Sequence, residues 1–444
     1  MHPVPTLEIV DGFSGQRLPT LRRQNTMKVT VLGAGLIGLA TAYYLWRDGH
    51  EVEVIDEQAQ PASVTSYANA CLVSSSRALP WPTPGAGKTV WRALTDASAP
   101  MRITQPFDPA LWRWGREFMS YANARDYERL TRAKLSFARF CQAELESTLH
   151  ATGVDCGYQR DGLLYVCRSE ATMETARMRA ALVGAHGYEM RMLSRDEVIA
   201  LEPSLASSTV VGGTLAVSDA QGDSRTFTRA LATWLAAHGV KFIWGEAVTA
   251  RLKLRAQKYE LHTANGALKA DAFVVALGPK TTQFARGLGV HVPIYPVKGY
   301  SITVPVRDAN RTPKRGGICE DALIAYCPLQ SESGLVMRIT TGAVFAGQNA
   351  SFRESDFVPH REHFEALFPG ALDWANPSVE RWACQRPMTP SSLPIIRQHR
   401  FDNLYWNCGQ GHIGWTMSCG SGRVVADLIV SRQPSFSLQD FQRL

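Results

Sequence analysis

The chain has 444 residues, of which 45% are hydrophobic and 20% are charged, and its formal net charge is +7. This length and composition exclude the disordered and fibrous classes and allow two domains with substantial cores. The basic residues are scattered, and no Lys/Arg-rich run alternates with aromatic residues. We therefore expect no nucleic-acid partner.

The cysteines and the apolar runs indicate the redox state and the compartment. The nine cysteines form no C-x-x-C pair, so their spacing predicts neither a zinc site nor a disulfide framework, and no metal is expected. No apolar run approaches the roughly 18 residues that cross a bilayer. We expect a cytoplasmic protein, with peripheral attachment to the inner membrane left open. Residues 1–26 are unpatterned and are expected to form a disordered extension.

The stretch from Met27 to Glu57 predicts a strand, a glycine turn, a helix and a second strand. Gly33, Gly35 and Gly38 form the pattern G-x-G-x-x-G, in which they permit a tight turn, approach of a pyrophosphate and close packing of the helix. Asp56 ends the second strand about 20 residues beyond, where a carboxylate can accept hydrogen bonds from ribose hydroxyls. The pattern predicts a dinucleotide site but does not choose FAD over NAD.

The rest of the chain alternates between helical and strand-rich regions. Residues 108–153 have helical periodicity, and short strands are expected near 163–167, 240–263, 293–341 and 378–384. A buried strand over 271–277 ends in Gly278, and a glycine run over 408–422 opens a final helix. These features predict a nucleotide-binding domain in three segments, 27–80, 201–290 and 385–444, and a substrate domain in two, 81–200 and 291–384.

Four further motifs carry a family resemblance: TSYANA at 65–70, YPVKGYSITVP at 295–305, RPMTP at 386–390 and GWTMSCGSG at 414–422. Together with the glycine fingerprint they resemble the D-amino acid dehydrogenase small-subunit family, a branch of the FAD-dependent glycine and D-amino acid oxidase superfamily. The resemblance implies an α/β fold, with FAD in a discontinuous Rossmann-like domain. It also implies an inserted α+β substrate domain containing a large mixed sheet.

The resemblance also implies roles for individual residues. Arg386 matches the arginine that holds the substrate carboxylate in similar flavoenzymes, and Tyr300 and Tyr326 are candidates to bind substrate or shape the pocket. The glycines that open the final helix would bring its N-terminal amides toward the pyrimidine end of the flavin. The residues expected around FAD are Gly33, Gly35, Leu36, Ile37, Gly38, Asp56, Glu57, Ser66, Asn69, Ala70, Val248, Gly278, Gly409, Gly411, His412, Gly414, Trp415 and Thr416.

The reaction that the resemblance implies is oxidation of a D-amino acid, cyclic ones such as D-proline included. Hydride passes from the α-carbon to flavin N5, and the imino acid is hydrolysed to a 2-oxo acid and ammonia. A quinone or another respiratory acceptor would then take the electrons. Two alternatives stay open: an oxygen-using oxidase acting on glycine, sarcosine or D-proline/hydroxy-D-proline, and a non-catalytic flavoprotein that senses amino acids.

The chain departs from the family pattern at several positions. Ser391 and Ser392 replace an Asp-Gly pair, Gln410 replaces the histidine of G-H-G, and Ala322 replaces a tyrosine expected in a pocket strand. These changes predict a pocket of altered size or polarity. Cys384 lies five residues before Thr389, as does the cysteine that bonds covalently to flavin in sarcosine-oxidase-like relatives. A covalent link and a small buried thiol are both left open there.

Overall fold

The computed structural model describes residues 26–96, 101–253, 258–399 and 403–441, without the side chains of 250–253. The extension expected over residues 1–26 lies outside this part of the chain, except for its last residue. Within the described residues, no helix has both the length and the apolar character needed to cross a membrane. No cluster of three or more His, Cys, Asp and Glu side chains there could hold a metal ion.

The described residues form twenty strands and ten α-helices. The first third of the chain contains β1 (Lys28–Leu32), α1 (Leu36–Arg47), β2 (Glu51–Asp56), β3 (Leu72–Val73), α2 (Ala86–Thr95), β4 (Met101–Ile103), α3 (Pro109–Tyr121) and α4 (Ala124–Thr152). The middle contains β5 (Leu163–Cys167), α5 (Glu170–Gly184), β6 (Met190–Ser194), α6 (Arg195–Leu201), β7 (Gly212–Ala216), β8 (Ala220–Gln221), α7 (Ser224–Ala237), β9 (Lys241–Trp244), β10 (Thr249–Lys253), β11 (Lys258–Thr263), β12 (Gly266–Ala267), β13 (Ala272–Val275) and α8 (Thr281–Gly287). The last part contains β14 (Tyr295–Pro305), β15 (Gly317–Cys319), β16 (Ile324–Ser331), β17 (Gly334–Phe345), α9 (Val358–Glu365), β18 (Glu380–Met388), β19 (Ile395–Gln398), β20 (Leu404–Cys408) and α10 (Gly414–Ile429).

A six-stranded sheet in the order β19-β20-β13-β1-β2-β9 forms the nucleotide-binding half. All its pairs are parallel except β19 with β20. Val31 of β1 pairs with Val54 on one side and Val274 on the other, and all three are buried. A parallel sheet covered on both faces needs such β-branched strands. The sheet therefore joins three distant parts of the chain, as the sequence predicts.

A nine-stranded mixed sheet forms the second half. Its main path runs β18-β14-β17-β16-β15-β5-β7-β6, with β4 paired to β17. The pairs β15 with β5 and β17 with β4 are parallel, and the rest are antiparallel. The predicted large mixed sheet of an inserted domain is thus present. A three-stranded meander of β10, β11 and β12 lies apart from both sheets.

The helical region 108–153 contains two helices, because Asn123 caps α4 by accepting a hydrogen bond from the Asp126 N–H. The structure corrects the predicted domain segments in two places. α4 packs on α1 and α10 in the nucleotide-binding core and not in the substrate domain. β7 joins the large sheet by pairing with β5 and β6. Local periodicity predicts each element but carries no information about the sheet or layer it joins.

Within the strand region expected over 293–341, β15 and β16 pair antiparallel across a turn containing Leu323, whose φ is +50°. One segment boundary also differs from the prediction. β18 continues to Met388, so the predicted segment boundary at residue 384 falls inside a strand of the large sheet. Residues of the RPMTP motif therefore belong to that sheet.

Two glycines let α10 approach its neighbours closely. A Cβ at Gly420 would lie 2.4 Å from the Cys141 Sγ and 2.7 Å from the Cys141 Cα on α4, and one at Gly422 would lie 2.8 Å from the Ala40 carbonyl carbon on α1. Backbone atoms cannot move aside as the end of a flexible side chain can. α1 and α4 therefore lie closer to α10 than they could if Gly420 and Gly422 each had a methyl group in place of a hydrogen atom.

We expect Gly420→Ala to lower the free energy of unfolding by about 1–3 kcal/mol, because overpacking at the α4–α10 contact outweighs the gain in helix propensity. The measurement is urea unfolding at one fixed excess of cofactor, since a bound ligand itself stabilises the fold. Gly115→Ala in α3 is the matched control. Nothing lies within 4 Å of its Cβ position, so stability should rise by about 0.5–1 kcal/mol. Equal effects of both variants would contradict the close contact.

Candidate active site

The turn between β1 and α1 forms one end of a large cavity. Gly33 has a φ of +107°, a backbone conformation that residues with a Cβ rarely adopt. A Cβ there would also lie 2.5 Å from the Ala276 carbonyl oxygen. A Cβ at Gly38 would lie 1.8 Å from the Gly33 carbonyl oxygen. Gly35 precedes α1 and adds no side chain to the cavity wall. A ligand can therefore approach the backbone closely at this turn.

Asp56 closes the same end at the carboxyl end of β2. Its Oδ2 accepts a hydrogen bond from the Ala34 N–H at 2.6 Å, and its Oδ1 accepts one from the Gln58 N–H at 2.8 Å. These bonds fix the plane of the carboxylate and leave it further acceptor capacity. Glu57 beside it forms an ion pair with Lys280. Both Asp56 and Glu57 line the cavity, as predicted.

The loop between β2 and β3 contributes Ser66, Asn69 and Ala70 to the wall. The Ser66 Oγ accepts a hydrogen bond from the Leu36 N–H at 3.1 Å, so it meets the first turn of α1. The Asn69 Oδ1 accepts one from the Cys71 N–H at 2.9 Å. The small polar side chains of this loop thus hold their own backbone against the glycine turn, and the loop is a structured part of the cavity.

A second glycine turn, between β20 and α10, contributes the opposite wall. Gly409 and Gly411 have φ values of +77° and +64°. Gln410 Nε2 donates to Asn407 Oδ1 at 2.7 Å, and Asn407 Nδ2 donates to Thr41 Oγ1 at 2.9 Å, which ties this turn to α1. Gln410, where the family has histidine, therefore bridges two buried elements. The predicted residues of this turn that line the cavity are Gly411, His412, Gly414 and Trp415.

The cavity has a volume of about 1430 Å³, above the roughly 300–1,000 Å³ of an ordinary small-molecule site. Both glycine turns lie on its wall, and so do Tyr300, Cys384 and Arg386 from the large sheet. A third, apolar part comes from α2 and α3 and includes Ala86, Val90, Leu111, Trp114 and Phe118. The cavity therefore has room for a dinucleotide together with a second small molecule.

Arg386 is a partly buried cation on the cavity wall. It lies on β18, and its Nη1 donates to the Gly342 carbonyl oxygen at 2.6 Å. A Cβ at Gly299 on the neighbouring strand would lie 2.4 Å from Nη2, so glycine there gives the guanidinium its space. Burial lowers the pKa of Arg386, and within the described chain it forms no ion pair with a carboxylate. A buried guanidinium without a counter-ion favours an anionic ligand.

Tyr300 and Cys384 lie in the same region. The Tyr300 ring packs edge-on against Phe357 at 5.8 Å, and burial raises the pKa of its hydroxyl, which keeps it protonated and able to donate. Burial also raises the pKa of the Cys384 thiol, although Arg386 opposes this shift. A thiol with a raised pKa carries little thiolate and reacts poorly. The covalent flavin link at Cys384 stays a prediction that the thiol's surroundings do not favour.

Tyr326, predicted as a pocket residue, faces away from the cavity. Successive side chains of a strand point to opposite faces, and it is the preceding Ala325 of β16 that lines the cavity. The Tyr326 ring packs against Phe364 and Phe368 at 6.2 and 5.2 Å, behind the sheet. Its hydroxyl lies 2.6 Å from the position that a Cβ of Gly317 would take. Tyr326 is therefore a core residue.

Four of the residues predicted around the cofactor lie outside the cavity wall formed by the described residues: Gly38, Val248, Gly409 and Thr416. The two glycines shape the turns from behind. Val248 packs in the apolar cluster on one face of the nucleotide-binding sheet. Thr416 accepts a hydrogen bond from the Ser74 N–H at 3.1 Å through its Oγ1. These positions support the site without bordering it.

His412 lies on the cavity wall with its ring 5.2 Å from that of Trp81. Its Nδ1 is buried and has no hydrogen-bond partner among the described residues. Burial and nearby cations hold its pKa well below the usual value, so the imidazole is neutral at pH 7; the cations are Lys134, Arg386 and Arg77. Burial also lowers the pKa of Lys134 to about 7. This part of the site has an excess of basic groups.

The structure also places two arginines on the wall that sequence reasoning missed. Arg77 and Arg179 both donate to Glu320, with Arg77 Nη2 at 2.9 Å from Glu320 Oε2. Burial would raise the pKa of Glu320, but the two arginines hold it below the usual value. Arg77 follows the hydroxyl-rich segment 65–76, which is a usable signal. Arg179 lies on α5, where its helical position gives no sign of the cavity.

Of the residues that depart from the family pattern, Gln410 lines the described cavity and the other three do not. Ser391 accepts a hydrogen bond from the Leu393 N–H at 3.2 Å, and Ser392 accepts one from the Trp81 N–H at 3.0 Å. Trp81 lines the cavity, so Ser392 holds the backbone of a wall residue. Ala322 packs against the apolar cluster behind the large sheet. The altered pocket size or polarity stays a prediction.

Comparison with curated proteins gives relatives over almost the whole length. The chain is 37% identical to the D-amino acid dehydrogenase 2 of Mesorhizobium japonicum over 417 residues, which is 93% of this chain and 99% of that protein. It is 35% identical to the D-amino acid dehydrogenase of Granulibacter bethesdensis, over 93% of this chain and 98% of that protein.

Solved structures share the fold. The glycine oxidase of Geobacillus kaustophilus superposes with a TM-score of 0.72 at 20% identity, covering 94% of this chain and 98% of that one. The L-proline dehydrogenase of P. horikoshii superposes with a TM-score of 0.68 at 16% identity, over the same shares. Residues 28–428 match the family model described as FAD dependent oxidoreductase. The chain therefore belongs to the FAD dependent oxidoreductase (DAO) family.

Proposed function

We propose that this protein oxidises D-amino acids and passes the electrons to a quinone-type acceptor. Relatives named D-amino acid dehydrogenase support the substrate class. The observation that carries the proposal is the partly buried guanidinium of Arg386, which is free of any carboxylate partner in the described residues and lies on the cavity wall. The amino acid loses two electrons and two protons, and water converts the imino acid to a 2-oxo acid and ammonia.

The residues at the two glycine turns fit FAD, which when bound accepts the hydride from the α-carbon. Gly33 and Gly35 would let the pyrophosphate approach the backbone at the start of α1. Asp56, already held by two backbone N–H groups, would accept hydrogen bonds from the ribose. Gly411 and Gly414 would bring the N-terminus of α10 toward the flavin, where its dipole favours negative charge.

Arg386 would orient the substrate by its carboxylate. Its Nη1 is fixed by the Gly342 carbonyl oxygen, which sets the plane of the guanidinium and leaves other N–H groups for a two-point contact. The protonated hydroxyl of Tyr300 on the same wall could donate to the same ligand. Amines without a carboxylate would leave the buried cation uncompensated and should bind poorly.

The proposed acceptor is a quinone, and the proposed location is the cytoplasmic face of the membrane that contains it. The apolar part of the cavity, which includes Trp114 and Phe118, supports this choice because it suits a lipophilic molecule. An oxygen-using oxidase would need no such surface. Oxygen consumption during turnover distinguishes the two.

We expect Arg386→Ala to weaken binding of a D-amino acid by on the order of 10- to 150-fold, because a charge-assisted hydrogen bond contributes about 1.5–3 kcal/mol. The measurement is an anaerobic titration of flavin absorbance with substrate, at matched FAD content. Arg386→Lys should recover only part of the affinity, since an ammonium cannot form the planar two-point contact.

The matched control for this titration is Arg381→Ala on the same strand. Arg381 forms an ion pair with Glu354 at 2.8 Å and does not line the described cavity, so substrate affinity should not change. If Arg386→Ala keeps full affinity while retaining FAD, the carboxylate role of Arg386 is wrong.

The substrate class is tested by anaerobic bleaching of the bound flavin with D-, L- and N-methyl amino acids, the proline and hydroxyproline enantiomers included. We expect rapid bleaching by D-amino acids alone. Bleaching only by glycine or N-methyl compounds would place the protein with the oxidases that act on such substrates. Tight binding without any bleaching would indicate the amino-acid-sensing flavoprotein.

A further inference from the structure

Large apolar side chains are exposed together on α2, α3 and the loop before α3. Phe107 is 92% exposed, Trp91 68% and Trp112 62%. Leu94 and Met119 are also exposed on these helices. We call these five side chains the α2–α3 face. Single exposed apolar residues are ordinary, but a group of this size and aromatic content indicates an interaction surface.

The α2–α3 face surrounds an opening of the cavity. Leu94, Trp112 and Met119 are exposed to solvent and also line the cavity wall. The two helices approach each other at Gly87 and Met119, where a Cβ at Gly87 would be 4.0 Å from the Met119 methyl group. The buried apolar cluster behind them includes Trp114. A continuous apolar path therefore leads from the surface into the site.

Two of the three exposed aromatic rings, those of Phe107 and Trp112, have no polar group that must be desolvated. The Trp112 Nε1–H donates to the Pro106 carbonyl oxygen at 2.7 Å, so its one polar atom is satisfied within the protein. The same bond holds the loop that carries Phe107. These two rings can enter an apolar or interfacial medium without losing a hydrogen bond, and the indole N–H of Trp91 suits the polar zone of an interface.

Basic side chains flank the face, and the acidic side chains near them are engaged in the fold. The exposed cations are Lys88, Arg92, Arg113 and Arg116. Asp96 lies 3.4 Å from Arg92. Asp108 accepts hydrogen bonds from the Tyr295 hydroxyl and the Ala110 N–H, each at 2.8 Å. Burial raises the pKa of Glu117. The four cations outnumber these three acids, so the face is apolar with a net positive rim.

We propose that the α2–α3 face docks on the surface of a bilayer containing anionic phospholipids, with the cavity opening at the interface. Aromatic rings and a basic rim are the combination that binds such surfaces. A second copy of this chain fits less well, since a two-fold contact would bring the basic rims together. The docking surface does not depend on the proposed function. The proposed function enters only where a quinone is taken as the lipophilic acceptor that would pass through the opening.

The test is sedimentation of the FAD-loaded protein with vesicles of phosphatidylcholine alone and of an equal mixture of phosphatidylcholine and phosphatidylglycerol. We expect binding to the mixture that weakens with salt, because the rim contributes electrostatically. Trp91→Ser combined with Phe107→Ser should lower the partition coefficient at least about tenfold. Neither residue lines the described cavity, so turnover with a water-soluble dye acceptor should not change.

The apolar substitutions and the charge reversals each have a matched control elsewhere on the surface. Met178→Ser combined with Val358→Ser removes two exposed apolar side chains elsewhere and should leave vesicle binding intact. Lys88→Glu with Arg113→Glu should abolish binding to the mixture, whereas Lys269→Glu with Arg132→Glu, an equal change of net charge, should not.

The docking surface is wrong if the unsubstituted protein does not bind vesicles or if the Trp91/Phe107 variant binds them equally well. It is also wrong if the unsubstituted protein is a dimer without vesicle binding and the variant is a monomer. Failure of the proposed reaction gives a different result. In that case D-amino acids fail to bleach the flavin while vesicle binding through the face persists.

Discussion

The close approach of α10 to α1 and α4 is the constraint on which the site depends. Gly420 and Gly422 remove the methyl groups that would separate these helices. Farther along α10, Arg423 is 4% exposed, and its guanidinium donates to Asp48 at 3.0 Å and to Asp427 at 2.8 Å. Breaking such a buried network leaves uncompensated charges and is strongly destabilising. The contact places the β20–α10 turn opposite the β1–α1 turn, and the cavity lies between them.

The same packing concentrates basic groups at the cavity. Lys134 is buried and Arg386 is partly buried, and neither forms an ion pair within the described chain. Arg77 and Arg179 share one acid, Glu320. Burial lowers the pKa values of Lys134 and Arg386 because the interior disfavours an uncompensated charge. In the proposed function the substrate carboxylate supplies a missing anion. Binding of an anion would then compensate positive charge that is unfavourable in the protein interior. The site therefore favours anionic ligands over neutral ones.

Sequence reasoning predicted most of what is local. The family, the α/β fold with FAD and the large mixed sheet are confirmed, and the strand over Leu163–Cys167 has the predicted bounds. These predictions succeed because strand alternation and the glycine fingerprint are encoded within a few tens of residues. The assignment of α4 to the substrate domain is wrong, since a helical period shows which face is apolar but not what will cover it.

The candidate site shows the same limit at the level of single residues. From sequence, Tyr326 is a candidate pocket residue, but the pleat turns it behind the sheet and leaves Ala325 on the wall. Arg179 reaches the site from α5 only through tertiary packing with Glu320. A sequence motif indicates which residue types a family uses in its site. Which of two neighbouring strand residues faces the cavity depends on the register of the strand.

The two ends of the cavity differ in polarity and in exposure to solvent. The end at the glycine turns needs fixed backbone donors and a held carboxylate, and it is built from buried strand ends that cannot move without disrupting the sheet. The end at α2 and α3 is apolar and opens to the surface through exposed side chains such as Trp112 and Met119. Exposed aromatic rings contribute little to folding stability, because they stay in water when the chain folds. The fold does not explain their concentration at this opening. The docking that we propose does, because an anionic bilayer would contact both the rings and the basic rim around them.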